Sequence, residues 1–426
     1  MEKKFSALFV PLLNLSKQIK NNSFKMSSRV FVTGLGIISS IGCNIKEVME
    51  AIYAKKSGMS EITILETNYK GKIPVCEVKK SNKELAELVG VSNPNKHTRT
   101  ALLGIIAAKQ AVAYAGITDF SEFRTGLISA TSVGGMDRSE NFYSSFYKDQ
   151  SKGRLRDVVN HDCGDSTEKI ADIFGIRDYI TTISTACSSS ANAIMLGARL
   201  IKNNYLDRVI VGGTDALTRF TLNGFNSLMI LDATGCKPFD SKRNGLTIGE
   251  GAGFLVIESE KSLKTSGKEI IAELTGYGNA CDAFHQTASS PEGYGAYLAM
   301  KKAIEVSGKH ITEIDYINAH GTGTPNNDLT EGKAIEKIFN SSIPEVSSTK
   351  AYTGHTLAAS GGIEAVLSVL AIKEKIIYPN LRFNEQISEL SFSPTIELIQ
   401  NKEVRNVLSN SFGFGGNNTS LVFSKY

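Results

Sequence analysis

Residues 180–204 read ITTISTACSSSANAIMLGARLIKNN, an apolar strand pattern followed by a helix pattern of small residues. Cys187 stands at the turn between these two elements. A thiol at a helix N-terminus faces the positive end of the helix dipole, so we expect its pKa to be lowered and its nucleophilicity raised. The unpaired backbone N–H groups of the same turn are placed to hold an oxyanion. Taken alone, the segment also fits an inert cysteine in the core.

Strand and helix patterns alternate on both sides of this segment. Short apolar, β-branched runs predict buried strands at Arg29–Gly36, Gly126–Ser132, Tyr179–Ser184, Arg208–Gly212, Gly253–Ile257, Ile314–Ala319, Val346–Thr349 and Leu421–Phe423. Amphipathic stretches between them predict helices at Lys46–Lys56, Lys96–Ala115, Ala191–Lys202, Ala296–Val306 and Leu357–Lys375. This alternation predicts an α/β fold with largely parallel sheets covered by helices.

Two further glycine-rich loops carry histidines. EIDYINAHGTGTPNNDLTE, residues 313–331, brings His320 out of an apolar strand, and EVSSTKAYTGHTLAASGGIEA, residues 345–365, places Lys350 and His355 before a helix with Glu364. Active sites of α/β proteins form in such loops at strand ends. A carboxylate on a small, apolar helix face needs a partner, for which Lys350 or a loop amide is predicted, unless Glu364 is ordinary helix surface. His320 alone also fits a turn histidine bound to its own backbone.

The combination of one thiol and two imidazoles is more informative than any of them alone. It suits acyl transfer in which a thiolate holds an acyl group while two imidazoles stabilise an enolate oxygen. No phosphate-binding loop, nucleotide fingerprint or zinc-protease motif competes with this interpretation. The six cysteines show neither a CxxC pair nor a zinc spacing, which indicates free thiols, a reducing compartment and no metal.

These loops resemble those of the β-ketoacyl-acyl-carrier-protein synthases, the elongating Cys-His-His type of the thiolase superfamily. The resemblance runs from about Ser28 to Phe423 and rests on five motifs in the family's order: TACSSS around Cys187, KPFDSKRNGLTIGEGAG at 237–253, NAHGTGTPNND at 318–328, SSTKAYTGHTLAASGGIEA at 347–365 and SFGFGGNN at 411–418. It implies a thiolase-like duplicated α-β-α-β-α five-layer fold. It also implies a half at 26–275 carrying the nucleophile and a half at 276–426 carrying both histidines.

The resemblance further implies a decarboxylative Claisen condensation that extends a fatty-acid or polyketide/polyene chain by two carbons. Cys187 would accept the acyl group from the phosphopantetheine of an acyl carrier protein, so the enzyme needs no cofactor of its own. His320 and His355 would assist decarboxylation of malonyl-carrier protein and bind the enolate oxygen, with Lys350 and Glu364 supporting them.

Other residues take supporting roles by the same resemblance. Phe414 would contribute its backbone N–H to the oxyanion hole and gate the acyl pocket. The hydroxyls of Thr322 and Thr324 would hold the pantetheine arm. Phe225 and Leu357 would line the acyl tunnel. In addition, Asp328 would fix its own loop.

Two positions depart from the family's pattern. The closing loop reads GFGGNN where GFGGTN is usual, so the contacts of Asn417 stay open. Gln286 stands where many relatives place an apolar residue near the acyl chain. This fits either an unusual or conjugated chain or simple variation at a solvent-facing rim.

Alternative functions are separated by the same loops. A non-catalytic partner of the chain-length-factor kind typically lacks the cysteine that is present here as Cys187. A thiolase needs a second reactive cysteine in its last glycine-rich loop, where residues 412–418 contain none. An initiating synthase needs an asparagine where this chain has a second histidine. The pathway stays open between long-chain fatty-acid synthesis and an aryl polyene or related polyketide.

Charge and hydropathy bound the partners and the location. The net charge of +4 is spread without dense Lys/Arg blocks, which disfavours nucleic acid and suits a small acidic protein. The resemblance implies acyl carrier protein as partner and a homodimer, with a heterodimer containing a chain-length-factor-like subunit left open. Residues 1–25 lack a small-x-small cleavage site, so we predict an N-terminal extension outside the fold. No other stretch approaches the ~20 apolar residues of a membrane span, and we expect a cytoplasmic protein.

Overall fold

The computed structural model of the chain describes residues 29–91 and 93–426, so the predicted extension at 1–25 lies outside the described residues. The strands are β1 (Val30–Ser39), β2 (Thr125–Ala130), β3 (Tyr179–Ile183), β4 (Arg208–Asp215), β5 (Gly251–Ser259), β6 (Ala272–Cys281), β7 (Tyr316–Asn318), β8 (Glu345–Ser347), β9 (Asn406–Phe412) and β10 (Asn417–Ser424). The helices are α1 (Ile45–Tyr53), α2 (Asn82–Val89), α3 (Arg99–Tyr114), α4 (Met136–Lys148), α5 (Cys163–Phe174), α6 (Ser189–Lys202), α7 (Arg219–Ser227), α8 (Glu260–Ser266), α9 (Tyr294–Ser307), α10 (Pro325–Phe339), α11 (Lys350–Thr353) and α12 (Ser360–Glu374).

The strands form one sheet in the order β3-β2-β4-β5-β1-β6-β10-β9-β7-β8. The two halves of this order repeat one plan, because β1 to β5 and β6 to β10 follow the same neighbour relations from the centre outwards. In each half the fifth strand is antiparallel to its neighbours, and the second strand is parallel to the third and fourth. The predicted duplication of an α/β unit is thereby confirmed.

The cores show the five layers. Successive residues of a strand face opposite sides of the sheet, and in β5 Leu255 and Ile257 join a central core while Phe254 and Val256 join an outer one. The central core holds α6 and α12 between strands of both halves. The outer core of the first half contains α2, α3 and α5, and that of the second half contains α9 and α10. The layers therefore alternate as α-β-α-β-α.

Every predicted strand and helix overlaps an observed element, but the expectation of largely parallel sheets was wrong. Antiparallel pairs join β1–β5, β4–β5, β1–β6, β6–β10 and β9–β10. The reason is that the fifth strand of each half returns beside its neighbour without a parallel crossover. Strands β6 and β9 were not predicted, because glycines in β6 and polar residues in β9 hide the apolar pattern. A Cβ at Gly276 or Gly278 would meet the backbone of α9 at 2.1 or 2.2 Å, so these glycines let the helix approach closely.

The loops with the candidate reactive residues begin where strands end. Cys187 follows β3, His320 follows β7, and Lys350 and His355 follow β8. Within the ranges that the structure describes, no helix is long and apolar enough to cross a lipid bilayer.

Candidate active site

The turn that carries Cys187 connects β3 to α6, as the sequence predicted. Ala186 adopts a left-handed conformation with φ of 52°, which reverses the chain sharply in front of the helix. The N–H of Thr185 donates to the hydroxyl of Ser189 at 2.8 Å and closes the turn. Only 6% of Cys187 is exposed, so the thiol lies at the helix N-terminus inside the protein.

The electrostatics of this thiol differ from the sequence expectation. Burial raises the pKa of Cys187 to about 11, although the charge of Lys350 and the backbone N–H groups of Phe414 and Cys187 act in the opposite direction. The predicted lowering of the pKa was therefore wrong, because desolvation outweighs the favourable groups. At neutral pH Cys187 is therefore a thiol, and acting as a nucleophile would require it to lose this proton.

The loop after β7 holds His320 through its backbone. Glu331, on α10, accepts hydrogen bonds from the N–H groups of His320 at 2.9 Å and Gly321 at 2.8 Å, and from the side-chain amide of Asn410 at 3.0 Å. Burial raises the pKa of Glu331 to about 7. Sequence reasoning missed Glu331, although a second carboxylate one helical turn after Asp328 was a visible signal that this helix face turns inward.

Lys350 connects His320 to Glu364, as predicted for that carboxylate. Its ammonium contacts His320 Nδ1 at 3.2 Å, the His320 carbonyl at 2.6 Å and the carboxylate of Glu364. An ammonium can only donate, so Nδ1 accepts and the proton of the neutral imidazole sits on Nε2. Burial, followed by the charge of Lys350, holds the pKa of His320 well below its usual value, which keeps the ring neutral.

His355 reaches the same protonation state by a different route. Its Nδ1 accepts the N–H of Leu357 at 3.1 Å and lies 3.1 Å from the hydroxyl of Ser360. A backbone N–H can only donate, so the His355 proton also sits on Nε2. The backbone N–H of His355 donates to the carbonyl of Thr247 at 2.7 Å. This hydrogen bond holds the loop against the first half of the molecule. Burial lowers the pKa of His355 well below its usual value.

The three predicted catalytic side chains meet in one place. The Sγ atom of Cys187, one ring nitrogen of His320 and one ring nitrogen of His355 all lie within 4.8 Å of one another. The two imidazole rings have centroids 5.3 Å apart and an interplanar angle of 88°. The site therefore presents one sulfur and two ring N–H donors to the same small volume.

The same atoms meet the distance criterion for a metal site, but the hydrogen bonds disfavour that use. Binding a metal through Nε2 requires the proton to move to Nδ1. In His320 and His355 that proton would then face the Lys350 ammonium and the Leu357 N–H, both of which are donors. The ring orientations thus suit hydrogen-bond donation into the site better than metal ligation.

Two cavities meet at the sulfur. The first, which we call the histidine cavity, has a volume of about 330 Å³, and its walls include both histidines, Thr322 and Thr324. The second, the apolar cavity, has a volume of about 470 Å³ and includes Leu357. Cys187, Phe225 and Phe414 line both cavities, and the two phenyl rings stack with centroids 6.0 Å apart. Every residue of the predicted site therefore lies at one of these cavities, except Lys350, which contacts His320, and Glu364, which pairs with Lys350.

The loop around Thr322 is held by hydrogen bonds to the carboxylate of Asp328. Asp328 accepts the N–H of Gly323 at 3.1 Å and that of Phe239 at 2.7 Å, which agrees with its predicted role in fixing this loop. The hydroxyls of Thr322 and Thr324 lie 2.9 Å apart at the cavity wall. Gln286 lines neither of the two cavities, and its backbone carbonyl accepts the N–H of Gly415 at 2.8 Å.

Asp215, at the end of β4, is a second residue that sequence reasoning missed. Its carboxylate accepts the N–H of Val133 at 3.0 Å and that of Ala358 at 2.8 Å, and it also binds the hydroxyl groups of Thr131 and Ser132. Asp215 thereby joins the end of β2 to the loop that carries His355. Its position at the end of a buried strand, in GGTDALT, was the available signal.

Comparisons with known proteins agree with this geometry. The family model described as beta-ketoacyl synthase, N-terminal domain, matches residues 27–262, and the corresponding C-terminal domain matches residues 271–384. The 3-oxoacyl-[acyl-carrier-protein] synthase 2 of Staphylococcus aureus is 34% identical over 416 residues, covering 94% of this chain and 99% of that protein. The synthase 2 of Synechocystis is 33% identical over 417 residues, covering 93% of this chain and 98% of that protein.

Two solved structures share the whole fold. The ishigamide ketosynthase/chain length factor superposes with a TM-score of 0.88 and 31% identity, over 94% of this chain and all of that one. The ketosynthase ApeO in complex with its chain length factor ApeC, from Xenorhabdus doucetiae, gives a TM-score of 0.81 and 31% identity, over 95% of this chain and all of that one. Since the family models cover most of the chain and the Cys-His-His arrangement is present, the chain belongs to the β-ketoacyl synthase family.

Proposed function

We propose that this chain catalyses the elongating condensation of a β-ketoacyl-acyl-carrier-protein synthase. The observation that carries the proposal is the convergence of the Cys187 sulfur with His320 and His355, within 4.8 Å, where two cavities meet. The apolar cavity suits an acyl chain, and the histidine cavity suits a short, polar malonyl group on its pantetheine arm.

The first step transfers the acyl group to the enzyme. A bond forms between the Cys187 sulfur and the acyl carbonyl carbon, the thioester bond to the carrier breaks, and the thiol proton leaves with the carrier's sulfur. The backbone N–H groups of Cys187 and Phe414 are proposed to hold the carbonyl oxygen during this exchange. The chain then occupies the apolar cavity beside Leu357.

The second step joins the two carbon chains. The malonyl carboxylate leaves as CO₂, and the enolate oxygen that forms accepts hydrogen bonds from Nε2–H of His320 and His355. The resulting carbon nucleophile attacks the acyl carbonyl, a C–C bond forms, and the bond to the Cys187 sulfur breaks. The sulfur takes up a proton, and a 3-oxoacyl carrier protein is released. We propose that no metal and no cofactor of the enzyme takes part.

An acidic carrier protein has a fitting surface on this chain. Five cationic side chains surround a surface cavity of about 640 Å³, namely Lys96, Arg138, Arg154, Arg156 and Lys169. Asp157 is the one acidic residue of its wall, and it pairs with Arg154 at 3.2 Å. We propose this basic cluster as the surface that attracts the carrier, because clustered charge of one sign accelerates encounter with a partner of the other.

A second subunit is proposed as well. Helix α4 has no buried residue, and Tyr143 and Tyr147 on it are 61% and 76% exposed. Phe220 is 60% exposed and belongs to the wall of the apolar cavity, so that cavity borders the same unpartnered surface. We propose a homodimer that covers it. A heterodimer with a chain length factor is the alternative, since the solved ketosynthase from Xenorhabdus doucetiae is assembled in that way.

The proposed location is the cytoplasm, and the proposed pathway is fatty-acid or polyketide synthesis. All six cysteines are free thiols and lie within the described ranges, which suits a reducing compartment. The curated relatives are 3-oxoacyl-[acyl-carrier-protein] synthases, whereas the two structural relatives described above are ketosynthases with chain length factors. An aryl polyene or related conjugated product is proposed as the alternative to a saturated chain.

Intact-protein mass spectrometry tests the proposal and reports the substrate. The protein is incubated with carrier proteins bearing acyl chains of varied length and unsaturation, and the mass added to the enzyme identifies the accepted chain. We expect the added mass on Cys187 and its discharge when malonyl-carrier protein follows. Failure of every acyl carrier to label the enzyme would contradict the proposed function.

A further inference from the structure

We infer that Asn417 is a positioning residue that fixes the Phe414 loop, residues 413–416, relative to the Cys187 thiol. The inference rests on the proposed function, in which the backbone N–H of Phe414 holds the carbonyl oxygen of the acyl group. The position of the Phe414 loop matters because it sets where this N–H lies. Its basis is a set of hydrogen bonds that converge on a single oxygen atom.

The Oδ1 atom of Asn417 accepts hydrogen bonds from two side-chain amides and also lies within hydrogen-bond distance of a serine hydroxyl. The amides are those of Asn192 at 2.8 Å and Asn279 at 2.9 Å. The hydroxyl is that of Ser188 at 2.8 Å, whose single proton is shared between Asn417 Oδ1 and the carbonyl of Thr185. Ser188 follows the nucleophile directly, Asn192 lies one turn further along α6, and Asn279 belongs to β6. One side chain of β10 therefore connects the nucleophile helix to the sheet of the second half.

The partners of Asn417 are themselves held in place. The Oδ1 atom of Asn192 accepts the hydroxyl of Thr419 at 2.7 Å, and its amide donates to the hydroxyl of Thr185 at 2.9 Å. Ser188 and Thr419 are completely buried. Because these buried groups bind one another as well as Asn417, they restrict where the oxygen of Asn417 can lie.

That position determines where the Phe414 loop begins and ends. The N–H of Gly413 donates to the carbonyl of Asn417 at 2.9 Å, which closes the loop at its base. A Cβ on Gly413 would lie 2.9 Å from the Thr185 carbonyl and 3.3 Å from the Cys187 nitrogen, so the loop contacts the nucleophile turn without spare room. A shift of Asn417 would therefore move Phe414 with respect to both cavities that it lines.

The test compares two substitutions of similar size. Asn417→Leu keeps the volume and removes the acceptor, whereas Asn417→Asp keeps an acceptor oxygen at the same distance from the backbone. Asn203→Leu is the matched control, because the Asn203 amide binds a carbonyl at the opposite end of α6. Three measurements are made on each full-length protein: hydrogen exchange of the 413–417 amides, the rate of Cys187 acylation by acyl-carrier protein, and malonyl decarboxylation in a Cys187→Gln background.

We expect Asn417→Leu to accelerate exchange in the loop and to slow acylation by about tenfold. This is less than the about 10²–10³-fold cost of removing an oxyanion donor outright, because the N–H of Phe414 is displaced and not lost. Decarboxylation should stay within about twofold, because the two histidines are held by other residues. Asn417→Asp should recover most of the acylation rate, and Asn203→Leu should match the unmodified protein. The inference is overturned if Asn417→Leu acylates normally, if decarboxylation falls equally with acylation, or if the Asp variant is as slow as the Leu variant. An unmodified protein that is never acylated would instead contradict the proposed function, and the exchange data would still test the placement of the loop.

Discussion

The two halves of the molecule share one strand plan but treat the connection after their third strand differently. In the first half, residues 184–188 pass directly from β3 to α6, and the short turn leaves Cys187 at the helix N-terminus. In the second half, residues 348–359 pass from β8 to α12 through α11, and the longer connection carries both Lys350 and His355. The same strand plan thus carries two different kinds of side chain. The short connection carries the proposed nucleophile, and the long connection carries hydrogen-bond donors.

Removing the nucleophile tests the contribution of the first half alone. We expect Cys187→Ala to lower condensation by about 10⁴-fold or more, as loss of a covalent nucleophile does in other enzymes. Cys187→Gln should retain or increase malonyl decarboxylation, because both histidines stay in place. Condensation is followed by the 3-oxoacyl product, with Cys43→Ala as the control that should match the unmodified protein. Normal condensation by Cys187→Ala would remove the thiol from the mechanism.

Removing a donor tests the second half. We expect His355→Ala to lower malonyl decarboxylation by about 10²–10³-fold, the usual cost of one oxyanion donor. Cys187 should still be acylated to some degree, since His355 is not needed to hold the acyl group. Release of CO₂ in the Cys187→Gln background measures the first effect, and intact mass measures the second. His310→Ala, on the surface, should change neither, and undiminished CO₂ release would disprove the assigned role.

The carboxylate behind His320 gives this half a pH dependence. The pKa of Glu331 is raised from 4.5 to about 7 by burial, so the folded state binds more protons than the unfolded state between these values. The free energy of unfolding should therefore fall as the pH rises through this window, by about 3–4 kcal/mol in total at about 1.4 kcal/mol per pKa unit.

Glu331→Gln should remove this part of the pH dependence, whereas Glu305→Gln on the surface should leave it unchanged. Chemical denaturation at about pH 4.5 and about pH 7, the two ends of the window, measures the difference for all three proteins. An identical slope in the Glu331→Gln variant and the unmodified protein would mean that Glu331 titrates normally in the fold.

The smallest expected effect concerns Lys350, whose positive charge in the second half acts on the Cys187 thiol of the first half. Lys350 lowers the pKa of Cys187, although burial has the larger and opposite influence. Lys350→Met should therefore slow alkylation of Cys187 by iodoacetamide at about pH 8, by less than about tenfold, equivalent to less than about one pKa unit. Lys242→Met, an exposed substitution, is the control. Equal or faster alkylation of the Lys350→Met variant would show that the two halves are not coupled in this way.

The sequence predicts the reactive residues better than the residues that hold them. Cys187, His320 and His355 are visible because glycine-rich loops and flanking strand patterns lie next to them in the chain. The contacts of Asp215 with Ala358 and of Glu331 with Asn410 join residues that are far apart in sequence, so no local pattern announces them.

The thiol pKa had the wrong predicted direction for a related reason. The helix N-terminus is a local feature of α6, whereas burial of Cys187 depends on how the loops of both halves pack over it. Strands β6 and β9 were missed on similar grounds. The glycines of β6 are explained by the close approach of α9. The polar residues of β9 are explained by their hydrogen bonds to Glu331 and Glu364.

The joint between the halves has a consequence for how the protein unfolds. Strands β1 and β6 pair at only two positions, Phe31 with Glu273 and Val32 with Ala272, yet α6 and α12 each contact strands of both halves. Neither repeat thus has a complete hydrophobic interior of its own. The two halves therefore repeat the same strand order, but neither is expected to fold by itself. Heating should unfold both halves in a single calorimetric transition.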